Sequence, residues 1–111
     1  MAVYSNISID QGSDFSAEIV VNDSTGTVAN LTGYTAAGQI RKTYTSSTFT
    51  AFGATVTGAT SGVLTITLSN AVTNAMKAGR YVYDVEITKT SNGEKTRVVE
   101  GGLTVNPGVT Q

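Results

Sequence analysis

The feature that most constrains the fold is an alternating stretch near the C-terminus, RYVYDVEITKTSNGEKTRVVEGGLTV, residues 80–105. Apolar and polar residues alternate in it, stop at Ser91-Asn92-Gly93 and resume at Lys95. Because successive side chains of a strand point to opposite faces, this pattern predicts a β-hairpin with one buried face. The buried face would carry four residues of the first strand: Tyr81, Tyr83, Val85 and Ile87.

The same two-residue period recurs at intervals of about ten residues, which predicts about seven short strands. Besides the hairpin, we expect strands at residues 5–10, 14–21, 34–42, 49–56 and 63–68. The period changes at 69–78, where Ser69 can cap one short helical crossover and Gly79 stands where it would end. These elements predict an all-β fold: a two-sheet antiparallel, immunoglobulin-like sandwich. We expect a single domain over 1–111, with its core at about 5–105 and a short tail at 106–111.

Two local patterns refine this prediction. Gly79 and Tyr81 follow the crossover and open a strong strand, as in a tyrosine corner, where the phenol bonds back to the backbone. The alternative is that Tyr81 is simply a core aromatic. The pair Gly101-Gly102 predicts a β-bulge in the last strand.

Composition favours a surface with few charges. The chain has 19 threonines and 10 serines, 14% charged residues and a net charge of −1. Such a surface has weak electrostatic protection against association, so it fits a protein built into an assembly, although an ordinary soluble β domain is also compatible. The low charge predicts neither nucleic-acid nor membrane binding. We find no pattern of a signal peptide or a membrane-spanning helix.

The sequence offers little for catalysis. It contains neither histidine nor cysteine, and no nucleophile elbow or nucleotide-binding loop. Asp84 and Glu86 share a strand face and are interpreted as a solvated or interface-facing surface, with Arg97 as a cross-strand partner. Residues 22–26 are interpreted as a turn rather than a calcium loop, because the bidentate glutamate of such loops is missing. We therefore expect no enzyme activity, no metal and no cofactor.

Three aromatic residues are candidates for partner binding: Tyr44, Phe49 and Phe52. They lie in or beside the least regular segment, at the start of a span, residues 43–76, that carries no charge. Aromatic side chains often anchor protein interfaces, and the alternative is that they cover an edge of the core. We expect part of this span, with Phe49 and Phe52 as anchors, to be covered by a neighbouring protein.

The order of several segments resembles the small β-sandwich virion proteins of tailed bacteriophages, and also the N-terminal domain of phage baseplate upper proteins. The resemblance covers about residues 9–107. It includes the strand at 62–68 and five motifs: DQGSDF at 10–15, NLTGY at 30–34, GQIRK at 38–42, AGRYVYDVE at 78–86 and VEGGLTVNP at 99–107.

This resemblance implies a non-catalytic structural protein of the virion, present in multiple copies and bound to other virion proteins. The implied location is the tail or baseplate. Baseplate upper proteins continue into helical and receptor-binding parts, whereas this sequence covers one domain, so a capsid decoration protein is the alternative. A carbohydrate-binding host-adhesion module, presenting Tyr44, Phe49 or Phe52 to a glycan, is a third interpretation.

Overall fold

Alternating residues form strands along most of the chain. A computed structural model describes residues 3–22, 26–43 and 45–108. The described elements, in chain order, are β1 (Val3–Tyr4), β2 (Ile7–Asp10), β3 (Phe15–Val20), β4 (Tyr34–Arg41), β5 (Thr50–Ala51), β6 (Gly53–Gly58), a 3₁₀ turn (Ala59–Ser61), β7 (Val63–Leu68), α1 (Asn70–Ala75), β8 (Gly79–Lys89) and β9 (Lys95–Asn106).

The strands form two sheets. The larger follows the order β1-β9-β8-β4-β5, with β2 also paired to β9, and the smaller follows the order β3-β7-β6. The predicted all-β sandwich is thereby confirmed. The predicted hairpin is β8 and β9, and its turn is closed by hydrogen bonds from Lys89 N to the Glu94 carbonyl (2.8 Å) and from Gly93 N to the Lys89 carbonyl (2.7 Å).

The first strand departs from a purely antiparallel arrangement. Both β1 and β2 run parallel to β9, with Val3 opposite Val99 and Ile7 opposite Leu103. Between them the chain presses against β9: a Cβ on Gly101 would lie 2.0 Å from the Ser5 carbonyl oxygen. Gly101 is therefore needed for this close approach.

The predicted bulge at Gly101-Gly102 is wrong in its position. Both glycines stay in regular register, opposite Tyr83 and Val82. The shift lies earlier in β9, where Val85 faces Val99 and Glu86 faces Arg97, so Val98 is the extra residue. Val98 and Val99 are both buried, and the bulge is thus stabilised by the core.

The core lies between the two sheets and is formed by the inward residues of both. The most deeply buried side chains are Leu31, Ile40, Leu64, Ile66, Val85, Leu103 and Val105. Phe15, Ile19 and Tyr81 are partly buried and pack against this cluster. Full burial of a Leu or Ile side chain contributes about 1.5–3 kcal/mol, so this cluster is the main source of stability.

The crossover between the sheets is the short helix α1. The Ser69 side chain makes no capping hydrogen bond. Instead, Asp14 accepts a 2.7 Å hydrogen bond from Asn70 N through Oδ1. The buried Thr73 hydroxyl donates to the Ser13 carbonyl at 2.7 Å. These two contacts tie α1 to the start of β3, a long-range arrangement that the local pattern at 69–78 does not contain.

Candidate partner-binding surfaces

Phe52 belongs to the core, which corrects its assignment as a partner-binding anchor. It is 6% exposed, with its ring centroid 6.3 Å from that of Phe15 and 6.0 Å, edge-on, from that of Tyr83. The cause is a change of sheet: β5 pairs with β4 in the larger sheet, and β6 pairs with β7 in the smaller one. Phe52 is the residue between them, so its side chain enters the interior where the chain crosses.

Phe49 is the exposed aromatic of this segment. Half of its surface is accessible, and the Arg41 guanidinium carbon lies 5.3 Å from its ring centroid. Arg41 also donates to the Ser46 carbonyl and, at 2.9 Å, to Gln39 Oε1. Phe49 thus stays available to a partner beside β4. Tyr44, the third candidate, lies outside the described residues.

The outer surface of the larger sheet carries several charges, and we call it the charged face. Its members are Gln39, Arg41, Asp84, Glu86, Arg97 and Glu100. Arg97 Nε lies 3.2 Å from Asp84 Oδ2, and Arg97 Nη1 lies 3.7 Å from Glu100 Oε1. These ion pairs are partly exposed, so each contributes at most about 1 kcal/mol.

The bulge at Val98 explains how Arg97 reaches this face. In an uninterrupted strand Arg97 would share the inward face of Val99, because side chains repeat every two residues. The extra residue reverses the alternation and places Arg97 opposite Glu86, outside the core. Glu86 makes no ion pair within the described residues.

A shallow groove of about 380 Å³ crosses the charged face between β4 and β8. Its lining combines small or apolar residues, Ala37 and Val82, with polar side chains, among them Gln39, Glu86 and Arg97. It is open to solvent and combines acidic and basic groups. It could hold a polar segment of a partner, and its acidic and basic groups serve mainly to neutralise one another.

The outer surface of the smaller sheet is different in character, and we call it the threonine face. Its members are Ser16, Glu18, Val20, Thr55, Thr57, Val63, Thr65 and Thr67. Glu18 is the one charged residue among them. Thr55 lies opposite Thr65, and Ser16 lies opposite Thr67, so hydroxyl pairs connect β7 with both of its neighbours.

The threonine hydroxyls are partly bonded to one another. Thr57 Oγ1 and Thr65 Oγ1 are 3.0 Å apart, and Thr67 Oγ1 donates to the Gly53 carbonyl at 3.4 Å. Val20 at the end of β3 is 57% exposed. Apart from Glu18, the threonine face therefore consists of short, uncharged side chains, and the apolar Val20 lies at one end of it.

Sequence reasoning identified the uncharged span but not this surface. The available signal was the Thr-x-Thr spacing at 55–57 and 65–67, which puts each pair of threonines on one face of its strand. What the sequence does not show is that these two strands are neighbours, and that β3 adds its own outward residues beside them.

Gly79 and Tyr81 stand at the crossover, where β8 begins. The Tyr81 hydroxyl donates to the Lys77 carbonyl at 2.6 Å, the hydrogen bond that defines a tyrosine corner. Gly79 has a φ of +143°, a conformation that side chains disfavour. Lys42 Nζ lies 4.8 Å from the Tyr81 ring centroid and covers its outer side. Tyr81 is also partly buried against the core, so it serves both roles considered from the sequence.

Tyr83 is the one titratable group whose pKa is clearly perturbed among the described residues. Burial raises the pKa of its phenol, and a side-chain hydrogen bond with Ser5 opposes that shift. The phenol also donates a 2.6 Å hydrogen bond to the Ser5 carbonyl. Nearby Tyr4 adds a smaller upward contribution. The phenol is neutral at physiological pH and ties β8 to the N-terminal strand, which is a structural task.

Within residues 3–22, 26–43 and 45–108, no three Asp or Glu side chains are grouped so that they could hold a metal ion. No helix in that part of the chain has the length and apolar character needed to cross a membrane.

Comparison with known proteins finds similar chains among solved structures. No protein-family model matches the chain, and no curated protein matches it significantly. Among solved structures, Listeria monocytogenes InlP is similar with a TM-score of 0.49 and 14% identity, over 95% of this chain and 28% of InlP. The NK cell receptor Nkp44, a triggering partner in natural cytotoxicity, has a TM-score of 0.49 and 12% identity, over 96% of this chain and 99% of the receptor.

A family 123 glycoside hydrolase from Clostridium perfringens is also similar, with a TM-score of 0.45 and 11% identity, over 97% of this chain and 24% of the hydrolase. This chain therefore spans less than a third of InlP and of the hydrolase. With every TM-score below 0.5, none of these likenesses bears on what the chain does.

Proposed function

We propose that this chain is a non-catalytic structural protein of a tailed-phage virion, located in the tail or baseplate, and that it binds other virion proteins through the threonine face. The observation that carries the proposal is the contrast between the two outer surfaces of the sandwich. The location comes from the resemblance of its ordered motifs to phage virion proteins.

The contrast is one of charge. Five of the six residues that define the charged face carry a charge, whereas the threonine face has Glu18 as its one charge among eight residues. Free surfaces of soluble domains carry roughly 25–35% charged residues. The charged face lies above that share, and the threonine face, with one charge in eight residues, falls below it.

Short uncharged side chains also suit a permanent contact. A partner that covers this face has to pair one carboxylate, that of Glu18. The threonine hydroxyls can form hydrogen bonds with the partner or keep those they already make. Threonine has a stiff, β-branched side chain, so little rotamer freedom is lost on binding. A stable contact would bury about 800 Å² on this protein.

The resemblance motifs support the architecture in which this face is exposed. NLTGY leads into β4, GQIRK lies at the end of β4, and AGRYVYDVE opens β8. Most of the motif residues therefore build the larger sheet, and the strand at 62–68 forms the centre of the smaller one.

The experiment compares two matched lysine substitutions in assembled particles. Thr65→Lys places a charge on the central strand of the threonine face, and Thr35→Lys places one on the outer side of β4 in the larger sheet. Both variants are first checked for a wild-type melting temperature. Each then replaces the wild-type chain during phage propagation, and separated heads and tails are analysed by mass spectrometry.

We expect the wild-type chain in the tail fraction. The amount of chain in that fraction should fall at least tenfold with Thr65→Lys and should stay unchanged with Thr35→Lys. Absence of the wild-type chain from particles would refute the virion role. Its presence in heads alone would favour the capsid decoration protein instead. Equal incorporation of both variants would move the binding surface away from the threonine face, with Phe49 and the charged face as the next candidates.

The carbohydrate-binding interpretation loses one of its residues. Phe52 is buried, so among the described residues the aromatic platform is reduced to Phe49, whose ring is already engaged by Arg41.

A further inference from the structure

We propose that two copies of this chain associate edge to edge through β6, joining their three-stranded sheets into one six-stranded antiparallel sheet. This inference goes beyond the proposed function, because the pairing requires no other virion protein and would occur in the purified chain. It concerns the backbone edge of the smaller sheet, whereas the proposed function concerns the side chains on its outer surface.

β6 is an edge strand. It ends the order β3-β7-β6, and it pairs on one side with β7, from Gly53 opposite Thr67 to Gly58 opposite Val63. Along its other side, alternate residues turn their N–H and C=O groups away from the sheet. Such a row of backbone groups is a template for one more extended strand, so the geometry selects a β-strand as the occupant.

The edges of the described sheets differ in their protection. β5 is two residues long, and the N-terminal edge is interrupted between Tyr4 and Ile7 and ends at Asp10. β3 carries Glu18 in its middle. β6, GATVTG, has neither charge nor proline over six residues.

Charges, proline and short length are the usual means by which edge strands avoid pairing. The one such device in β6 is the register shift between Val56 and Gly58, which leaves Gly53–Val56 in regular register with β7. The stretch open to pairing is therefore the first four residues, which include neither a charge nor a proline.

The sequence of β6 is complementary to itself. In antiparallel pairing about a twofold axis at Thr55, Thr55 faces the second copy's Thr55, and Ala54 faces the second copy's Val56. Residues on opposite strands must lie on the same face, and this register meets that condition: Thr55 is outward, while Ala54 and Val56 are half-buried and inward. The threonine faces of the two copies then become continuous, and so do their cores.

Electrostatic repulsion between the two copies is small in this arrangement. The charge on the threonine face is Glu18 in β3, two strands away from β6. In the joined sheet the two Glu18 residues would be five strand spacings apart, about 24 Å. That distance is about three Debye lengths at physiological ionic strength, so the two carboxylates are screened from each other. A second copy therefore satisfies both the hydrogen-bonding and the charge requirements of this edge.

The contact is short, so the association is expected to be weak. A stretch of this length buries less than the roughly 800 Å² per partner of a stable complex, and we expect a dissociation constant above about 1 µM. In an assembly that holds copies close together, such a contact would be strengthened by the high local concentration.

The test is sedimentation equilibrium of the purified chain and of two matched variants. The protein concentration runs from about 10 µM to about 1 mM, a range in which a dissociation constant above about 1 µM can be measured. Thr55→Lys adds a charge to β6, and Ser16→Lys adds the same charge to β3, the opposite edge of the same surface. Both parent side chains are exposed and point outward. We expect dimers of wild type and of Ser16→Lys at high concentration, and at least a tenfold weaker association of Thr55→Lys.

A wild-type chain that stays monomeric at the highest concentration would overturn the proposal, and so would equal association of both variants. Amide hydrogen exchange of the wild type gives a second measurement that does not depend on the variants folding. Protection at residues 53–58 should rise with protein concentration, and concentration-independent protection there would also refute the pairing. Neither result depends on the particle-incorporation experiment, so the two proposals can fail separately.

Discussion

The opposite environments of Phe49 and Phe52 make the sharpest prediction about stability. Replacing Phe52 by alanine removes a ring that is 6% exposed and that contacts the rings of Phe15 and Tyr83 at centroid distances of 6.3 and 6.0 Å. Truncation of a buried phenylalanine costs about 3–5 kcal/mol, because the transfer energy is lost and a cavity is left. This loss is a large share of the roughly 5–15 kcal/mol that stabilises an ordinary domain.

The expected effect can be stated as a melting temperature. An unfolding entropy of about 2.1 cal/mol/K per residue over 111 residues makes 1 kcal/mol equivalent to about 4 °C. Phe52→Ala should therefore lower the melting temperature by about 13–21 °C, measured by calorimetry and checked by urea unfolding. Phe52→Leu keeps part of the buried volume and should lose less.

Phe49→Ala is the matched control. Its ring is 51% exposed, and the interaction to be lost is the contact with the Arg41 guanidinium. An exposed cation–π pair contributes about 0.5–1 kcal/mol, so the melting temperature should fall by about 2–4 °C. If both substitutions cost the same, or if Phe52→Ala costs less than about 0.5 kcal/mol, the assignment of Phe52 to the core is refuted.

Three further predictions concern two tyrosines and calcium binding. Tyr81→Phe removes the hydrogen bond to the Lys77 carbonyl and should cost about 0.5–1.5 kcal/mol in chemical denaturation, whereas Tyr4→Phe, at an exposed site, should cost nothing measurable. The raised pKa of Tyr83 means that the unfolded chain loses the phenolic proton first, at about pH 10.0. The free energy of unfolding should thus fall as pH rises through and above that value. In Tyr83→Phe the free energy of unfolding should fall less steeply with pH, and equal slopes for the two proteins would contradict this. Chelator treatment should leave the melting temperature unchanged, and a drop restored by calcium would instead indicate a site at residues 22–26.

The sequence by itself determined the strands and the ends of the main hairpin. A two-residue period reports which residues of one strand share a face, and it placed Tyr83, Val85 and Ile87 inward, where all three are buried. Turn residues such as Asn92-Gly93 marked where the hairpin reverses. These features depend on residues close together in the chain, which is why a single sequence is enough to predict them.

The tertiary structure decided which strands are neighbours, and with that which residues form surfaces. Phe49 and Phe52 look alike in sequence, but the chain changes sheets at Phe52, so one ring is exposed and the other is buried. Arg97 has the same two-residue phase as the inward Val99, and the bulge at Val98 turns it outward. The threonine face exists because β3, β7 and β6 lie side by side. Periodicity describes a strand relative to itself, whereas burial and surfaces arise from contacts between segments that are distant in sequence.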